Sequence, residues 1–140
     1  MKSIAIVGAG YVGKAMIRFF SDRFFVKVYD PFSKGDSEEF NHLNVQLTED
    51  KEVINLCDFA VICVPTPMQE DKSVDLSIVE DTMSWLNVPL ILIKSTIPPG
   101  TTDMLRQSMA RGFVSRPNIL AKAIMWCNGG RIRIIQTHLI

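Results

Sequence analysis

Short apolar, β-branched runs alternate along this chain with stretches whose apolar positions return every three or four residues. The runs at residues 3–7 (SIAIV), 25–29 (FVKVY), 44–47 (NVQL), 59–64 (FAVICV) and 90–93 (LILI) predict strands, with residues 112–115 (GFVS) and 131–135 (RIRII) as further candidates. Between the first two runs, Tyr11, Val12, Ala15, Met16, Phe19 and Phe20 recur at helical spacing and form one apolar stripe suited to packing on a sheet. Helices are also predicted over 49–57, 77–86 and 101–110. The strand runs are near-continuously apolar, where a sheet with one wet face would show strict alternation. The expectation is therefore a doubly wound α/β fold, its mostly parallel sheet covered by helices on both faces.

Composition narrows this to one domain. The chain has 140 residues, 47% of them hydrophobic, enough for one core and too few for two of ordinary size. No repeat, low-complexity tract or flexible linker interrupts it. The longest apolar stretches, 59–64 and 89–93, fall far short of the roughly 20 residues that span a bilayer, and the N-terminus lacks a basic-then-apolar leader. A soluble, cytoplasmic protein with no membrane association is expected. Cys57, Cys63 and Cys127 are odd in number and show no C-x-x-C spacing, and His42 and His138 are the only histidines, so reduced thiols and no metal site are expected.

Charge divides the chain. The formal net charge is zero, yet residues 1–110 carry all 15 acids and ten of the 15 Lys and Arg, a balance of −5. Residues 111–140 carry Arg111, Arg116, Lys122, Arg131 and Arg133 with no acid, a balance of +5. Residues 1–110 are read as the core, and 111–140 as a basic, apolar segment that completes or flanks the same domain. Its charges are scattered among Ile, Leu, Trp and Met, without the clustering that a phosphate footprint needs, so no nucleic-acid partner is expected. Trp126, Ile134 and Ile135 either cover a sheet edge or lie exposed, and exposure would favour a homo-oligomer.

In doubly wound sheets, ligands bind outside the carboxyl ends of the strands, which directs the search for chemistry. At the first end, Gly8, Gly10 and Gly13 fit G-x-G-x-x-G between a strand and an amphipathic helix. The spacing gives a tight turn at Gly8, close approach of a pyrophosphate at Gly10, close helix–strand packing at Gly13, and a helix N-terminus whose free N–H groups meet phosphate. The second run ends in Asp30, 22 residues after Gly8, where a carboxylate can accept hydrogen bonds from the adenosine ribose. Its charge would repel a 2′-phosphate and no Arg follows, which favours NAD over NADP. Lys34 is read either as solvated or as a residue able to reach that phosphate.

The later strand ends carry VPTP and KSTIPPGTT. Pro65 and Pro67 stop a strand where a dinucleotide's second half would lie, and Thr66 is either part of a stiff terminator or a cofactor contact. In the second motif Gly100 relieves a turn, Thr101 or Thr102 is a candidate N-cap, and Asp103 complements the helix dipole. These roles leave Lys94, Ser95 and Thr96 unexplained, and their place at a strand end favours a cofactor or substrate role.

Gly-x-Gly-Tyr-Val-Gly, Val-Pro-Thr-Pro and Lys-Ser-Thr-x-Pro-Pro-Gly-Thr-Thr, in that order over residues 2–110, resemble the N-terminal domain of the UDP-glucose/GDP-mannose dehydrogenase family. The resemblance implies a Rossmann-type fold and NAD as cofactor. It also implies oxidation of a sugar C6 alcohol to a carboxylate by a protein that continues into a central helical region and a sugar-nucleotide domain. By the same resemblance Tyr11, Val12, Val64, Pro65, Thr66, Ser95 and Thr96 would join Gly8, Gly10, Gly13 and Asp30 around the cofactor. Thr66 would lie near the nicotinamide, and Thr96 would help position a water or stabilise an oxyanion. The likeness weakens afterwards. Where the family has Asn-Pro-Glu-Phe-Leu-x-Glu this chain has RPNILAKA, with Asn118 at the glutamate position, and an amide cannot serve as general base. No position here matches the family's nucleophilic Cys, on whose thiolate the aldehyde step depends. Cys57, Cys63 and Cys127 read as inert, since a reactive thiol needs an electropositive, partly exposed setting.

Two function classes follow. One is the NAD-binding half of a nucleotide-sugar dehydrogenase, its turnover dependent on a C-terminal catalytic half. The other is a non-catalytic NAD-binding sensor or partner-binding module with the basic tail as docking surface. A 6-phosphogluconate type of dehydrogenase is disfavoured by VPTP and STIPPGTT.

Overall fold

The computed structural model describes residues 2–32, 40 and 44–112. Five strands and four helices follow in the order β1 (Ser3–Val7), α1 (Tyr11–Ser21), β2 (Phe25–Tyr29), β3 (Val45–Leu47), α2 (Lys51–Asn55), β4 (Phe59–Ile62), α3 (Ser77–Trp85), β5 (Ile91–Ile93) and α4 (Thr101–Gly112). The strands form one sheet in the order β3-β2-β1-β4-β5, every described pairing parallel. β1 lies at the centre, Ile6 opposite Val28 on one side and Val61 on the other. The chain winds outward from β1 through β2 to β3, then crosses back to β4 and β5, which makes the sheet doubly wound.

The period-2 geometry of a strand explains why these runs are apolar throughout. Ile4 and Ile6 of β1 face one core with Ile17, Val26, Val28 and Val61, and Phe20 packs at its margin. Ala5 and Val7 face the other with Ile54, Ala60, Ile62, Val79, Met83, Leu86 and Leu105. Both faces are covered, and β1 from Ile4 to Val7 is at most 2% exposed. Around Phe20, edge-to-face contacts with Phe19, Phe24 and Phe59 close the amino-terminal end of the first core.

The boundaries shift where polar groups intervene. α2 spans 51–55 within the expected 49–57, because the Asp50 carboxylate accepts from the Glu52 N–H at 2.9 Å and caps its start. β4 ends at Ile62, two residues early: the Ile62 carbonyl accepts from both the Lys94 and Ser95 N–H groups, and the Cys63 N–H still donates to the Val7 carbonyl of β1 at 2.7 Å. The N-cap position of α4 falls on Gly100 (φ +86°), whose carbonyl accepts from the Met104 N–H, and Thr101 is the first helical residue. Gly112 belongs to α4. Lys34, residues 113–115, Asn118, Cys127 and 131–135 lie outside the described residues. No helix among the described residues is long and apolar enough to cross a membrane.

Candidate cofactor site

β2 and β4 flank β1 on opposite sides, so the strand order reverses at the carboxyl end of β1 and leaves a crevice there. The turn after β1 is shaped by backbone crowding. Gly8 has φ +95°, and a Cβ on it would lie 2.7 Å from the Cys63 carbonyl oxygen. Only glycine fits both the left-handed backbone and that approach. A Cβ on Gly13 would come within 1.9 Å of the Gly8 carbonyl oxygen, so helix and turn can meet only at glycine.

Gly10 differs. A Cβ there would meet nothing within 4 Å, because the residue borders open space at the N-terminus of α1. No side chain caps this helix, and its first turn carries no acid. The first-turn N–H groups and the positive end of the helix dipole therefore face the crevice, an arrangement suited to an anion.

Asp30 is fixed at the neighbouring strand end. The Gly8 N–H donates to the Tyr29 carbonyl at 2.9 Å, the Ala9 N–H donates to Asp30 Oδ2 at 2.7 Å, and the Phe32 N–H donates to Asp30 Oδ1 at 2.9 Å. These bonds hold the carboxylate at the edge of the crevice, where its oxygens are of the type that accepts from sugar hydroxyls. The glycine turn thus also orients the acid.

On the other side of β1, VPTP and KST are tied to each other. The Ser95 hydroxyl donates to the Val64 carbonyl at 2.7 Å, and the Thr66 hydroxyl donates to the Thr96 carbonyl at 2.8 Å. These reciprocal bonds staple the segments leaving β4 and β5. They engage the hydroxyl protons of Ser95 and Thr66, which leaves those oxygens as acceptors toward a ligand. Thr96 is exposed beside them.

One cavity of about 800 Å³ joins these pieces. Gly8, Gly10, Tyr11, Val12, Asp30, Val64, Pro65, Thr66, Ser95 and Thr96 all line it; Gly13 does not, being buried in the helix–turn contact. Lys94, expected at the strand end in a cofactor or substrate role, lines it too; Tyr29, Phe32, Ile78, Thr82 and Trp85 also line it, and no motif in the sequence pointed to them. Ile78, Thr82 and Trp85 sit at i, i+4 and i+7 of α3, a stripe that periodicity marks as inward-facing. Periodicity does not tell whether such a stripe meets the core or a cavity beyond the strand ends.

The described cysteines do not supply a nucleophile. Cys63 lines the cavity, yet burial pushes its thiol up to about 12, with Lys94 opposing weakly. Burial also raises Cys57, against smaller lowering by Ser3 and Lys27. Neither forms a thiolate near neutrality. Among the described residues no cluster of His, Cys, Asp and Glu could hold a metal ion.

Comparison with known proteins decides the family. Residues 35–119 match the NAD binding domain of the UDP-glucose/GDP-mannose dehydrogenase family, more than half of the chain. The chain belongs to that family. Its cofactor is NAD, and the open space at Gly10 beneath an uncapped helix N-terminus fits a pyrophosphate. The chain is 29% identical over 136 residues to the UDP-N-acetyl-D-mannosamine dehydrogenase of Methanocaldococcus jannaschii, covering 79% of this chain and 32% of that protein. It is 26% identical over 121 residues to the protein CapL of Staphylococcus aureus, covering 73% and 28%. A UDP-D-ManNAc dehydrogenase structure from Pyrococcus horikoshii superposes with a TM-score of 0.72 at 24% identity, over 86% of this chain and 35% of that one, a likeness of fold. The chain thus spans about a third or less of the length of these relatives.

Proposed function

We propose that this family member is the cofactor-binding part of a nucleotide-sugar dehydrogenase that oxidises a sugar C6 alcohol, with turnover shared with a further polypeptide segment that supplies the nucleophilic thiolate and the sugar-nucleotide site. The observation that carries this reading is the single cavity joining the glycine turn, Asp30 and the stapled ends of β4 and β5. NAD, when bound, supplies the hydride acceptor. In this reading the first-turn N–H groups beside Gly10 hold the pyrophosphate, and Asp30, pre-oriented by Ala9 and Phe32, accepts from the adenosine ribose. Thr66 and Ser95 offer acceptor oxygens at the nicotinamide end, and Thr96 is placed to hold a water or a developing oxyanion by its hydroxyl. Both described thiols are buried and protonated at neutral pH, which supports a nucleophile from another segment.

Calorimetric titration with NADH and NADPH tests the cofactor part: tighter NADH binding is expected, and equal affinities would sink the preference assigned to Asp30. For the catalytic part, UDP-glucose and UDP-N-acetylmannosamine are supplied with NAD to the chain alone, then with the C-terminal portion of a related dehydrogenase. NADH formation only in the second mixture is expected; turnover by the chain alone would refute the shared arrangement.

A further inference from the structure

Beyond Asp30, on the sheet face opposite α1, the cavity ends against aromatic residues. Tyr29 is the last residue of β2 and shares the face of Ala5 and Val7, packed against that core. Its ring lies 5.1 Å from that of Trp85, tilted by 59°. Trp85 is at the C-terminal end of α3, and a helical side chain leans toward the helix N-terminus, which carries the indole up toward the strand ends. Lys51 Nζ stands 4.9 Å from the centroid of the indole, so α2 holds the ring from a further side. Thr82 and Ile78, one and two turns earlier on α3, continue the same wall.

The order of the other groups fixes what reaches this wall. Gly10 is at the pyrophosphate position, Asp30 at the adenosine ribose, and Thr66, Ser95 and Thr96 lie on the opposite side of β1 with the nicotinamide. The group remaining on the Asp30 side is the purine base, a flat π-system matched to an indole and a phenol. We infer that Tyr29 and Trp85 form an aromatic floor for the adenine ring, with Trp85 a specificity-determining residue for the adenosine half of the dinucleotide; this rests on the cofactor assignment above.

The test uses AMP as probe and the full chain carrying W126F, so that indole emission comes from Trp85 alone. Saturable quenching or shift of that emission by AMP is expected, with nicotinamide mononucleotide leaving it unchanged. W85A should weaken AMP and NADH by about tenfold, the scale of a base–aromatic stack, and W85F should recover most of the loss. Emission indifferent to AMP while calorimetry shows NADH binding would overturn the aromatic floor alone. Absence of NADH binding would overturn the cofactor assignment and this inference together. Should W85A fail to fold, the AMP response of the W126F protein decides by itself.

Discussion

The two halves of the crevice are built by opposite means. On the β1–α1 side, shape comes from missing side chains: Gly8 and Gly13 allow backbone approaches that any Cβ would block, and Gly10 leaves open the space an anion would enter. On the β4–β5 side, shape comes from side chains: the hydroxyls of Ser95 and Thr66 each bind the other segment's backbone. A steric requirement is nearly absolute, because a clash with backbone can be relieved only by moving an element. A hydroxyl–carbonyl bond is one modest free-energy term and can be weakened without losing the fold.

The sharpest way to break this comparison is Gly13→Ala, whose Cβ would fall 1.9 Å from the Gly8 carbonyl oxygen. A loss of about 3 kcal/mol or more is expected in urea unfolding, in the range reserved for severe core misfits; a loss below about 1 kcal/mol would show that α1 can simply slide. Gly10→Ala separates shape from stability. Its backbone (φ −73°, ψ −160°) suits alanine and its Cβ meets no protein atom, so unfolding free energy should fall by less than about 1 kcal/mol. NADH affinity should nonetheless drop at least about tenfold, equivalent to about 1.4 kcal/mol, by calorimetry. Equal losses in both measurements would erase the distinction drawn between Gly10 and its neighbours.

On the hydroxyl side, Ser95→Ala and Thr66→Val should each cost about 1 kcal/mol of stability, and Thr66→Ser much less because the donor is kept. A double-mutant cycle should show the two coupled, since both bonds hold the same pair of segments. Strict additivity would mean that the staple acts as two separate contacts.

Cys63 joins the halves, its carbonyl against Gly8 and its thiol buried beneath the crevice. Its pKa rises from 9.0 to about 12 on folding, so the folded state retains a proton that the unfolded state releases. That contribution is complete below about pH 9 and is lost as pH rises toward 12. Denaturation midpoints measured from pH 8 to 11 should decline less steeply in Cys63→Ala than in the parent; identical slopes would place the thiol in contact with water. The smallest effect concerns Lys72, a non-glycine residue at φ +66° in the exposed turn before α3. Lys72→Gly should change stability by no more than about 1 kcal/mol, with stabilisation expected because the backbone strain is relieved.

Much of this architecture was legible because the deciding residues are close in sequence. Strand and helix positions followed from periodicity, and Gly8, Gly10 and Gly13 followed from the spacing a tight turn imposes between a strand and a helix. The face α1 buries did not, because close packing at Gly13 turns Gly13, Ile17 and Ser21 inward and leaves Tyr11, Val12, Ala15 and Phe19 of the expected apolar stripe exposed. Asp30 was legible because β2 must end beside β1 once the sheet is parallel. The strand boundary at Ile62 was not, since it depends on the Lys94 and Ser95 N–H groups some thirty residues away. Trp85 was read only as a helical position, because its distance to Tyr29 depends on how far α3 reaches over the strand ends.

The sequence by itself determined the fold class, the order of the elements, the glycine turn, the acid that follows it and the family resemblance. All of these rest on periodicity or short-range stereochemistry written into contiguous residues. The tertiary structure alone decided that VPTP and KST hold each other through reciprocal hydroxyl bonds, that Gly13 packs α1 while Gly10 faces open space, and that the rings of Tyr29 and Trp85 meet at the cavity wall. Each depends on residues that become neighbours only when the crossovers close and the carboxyl ends of the strands come together.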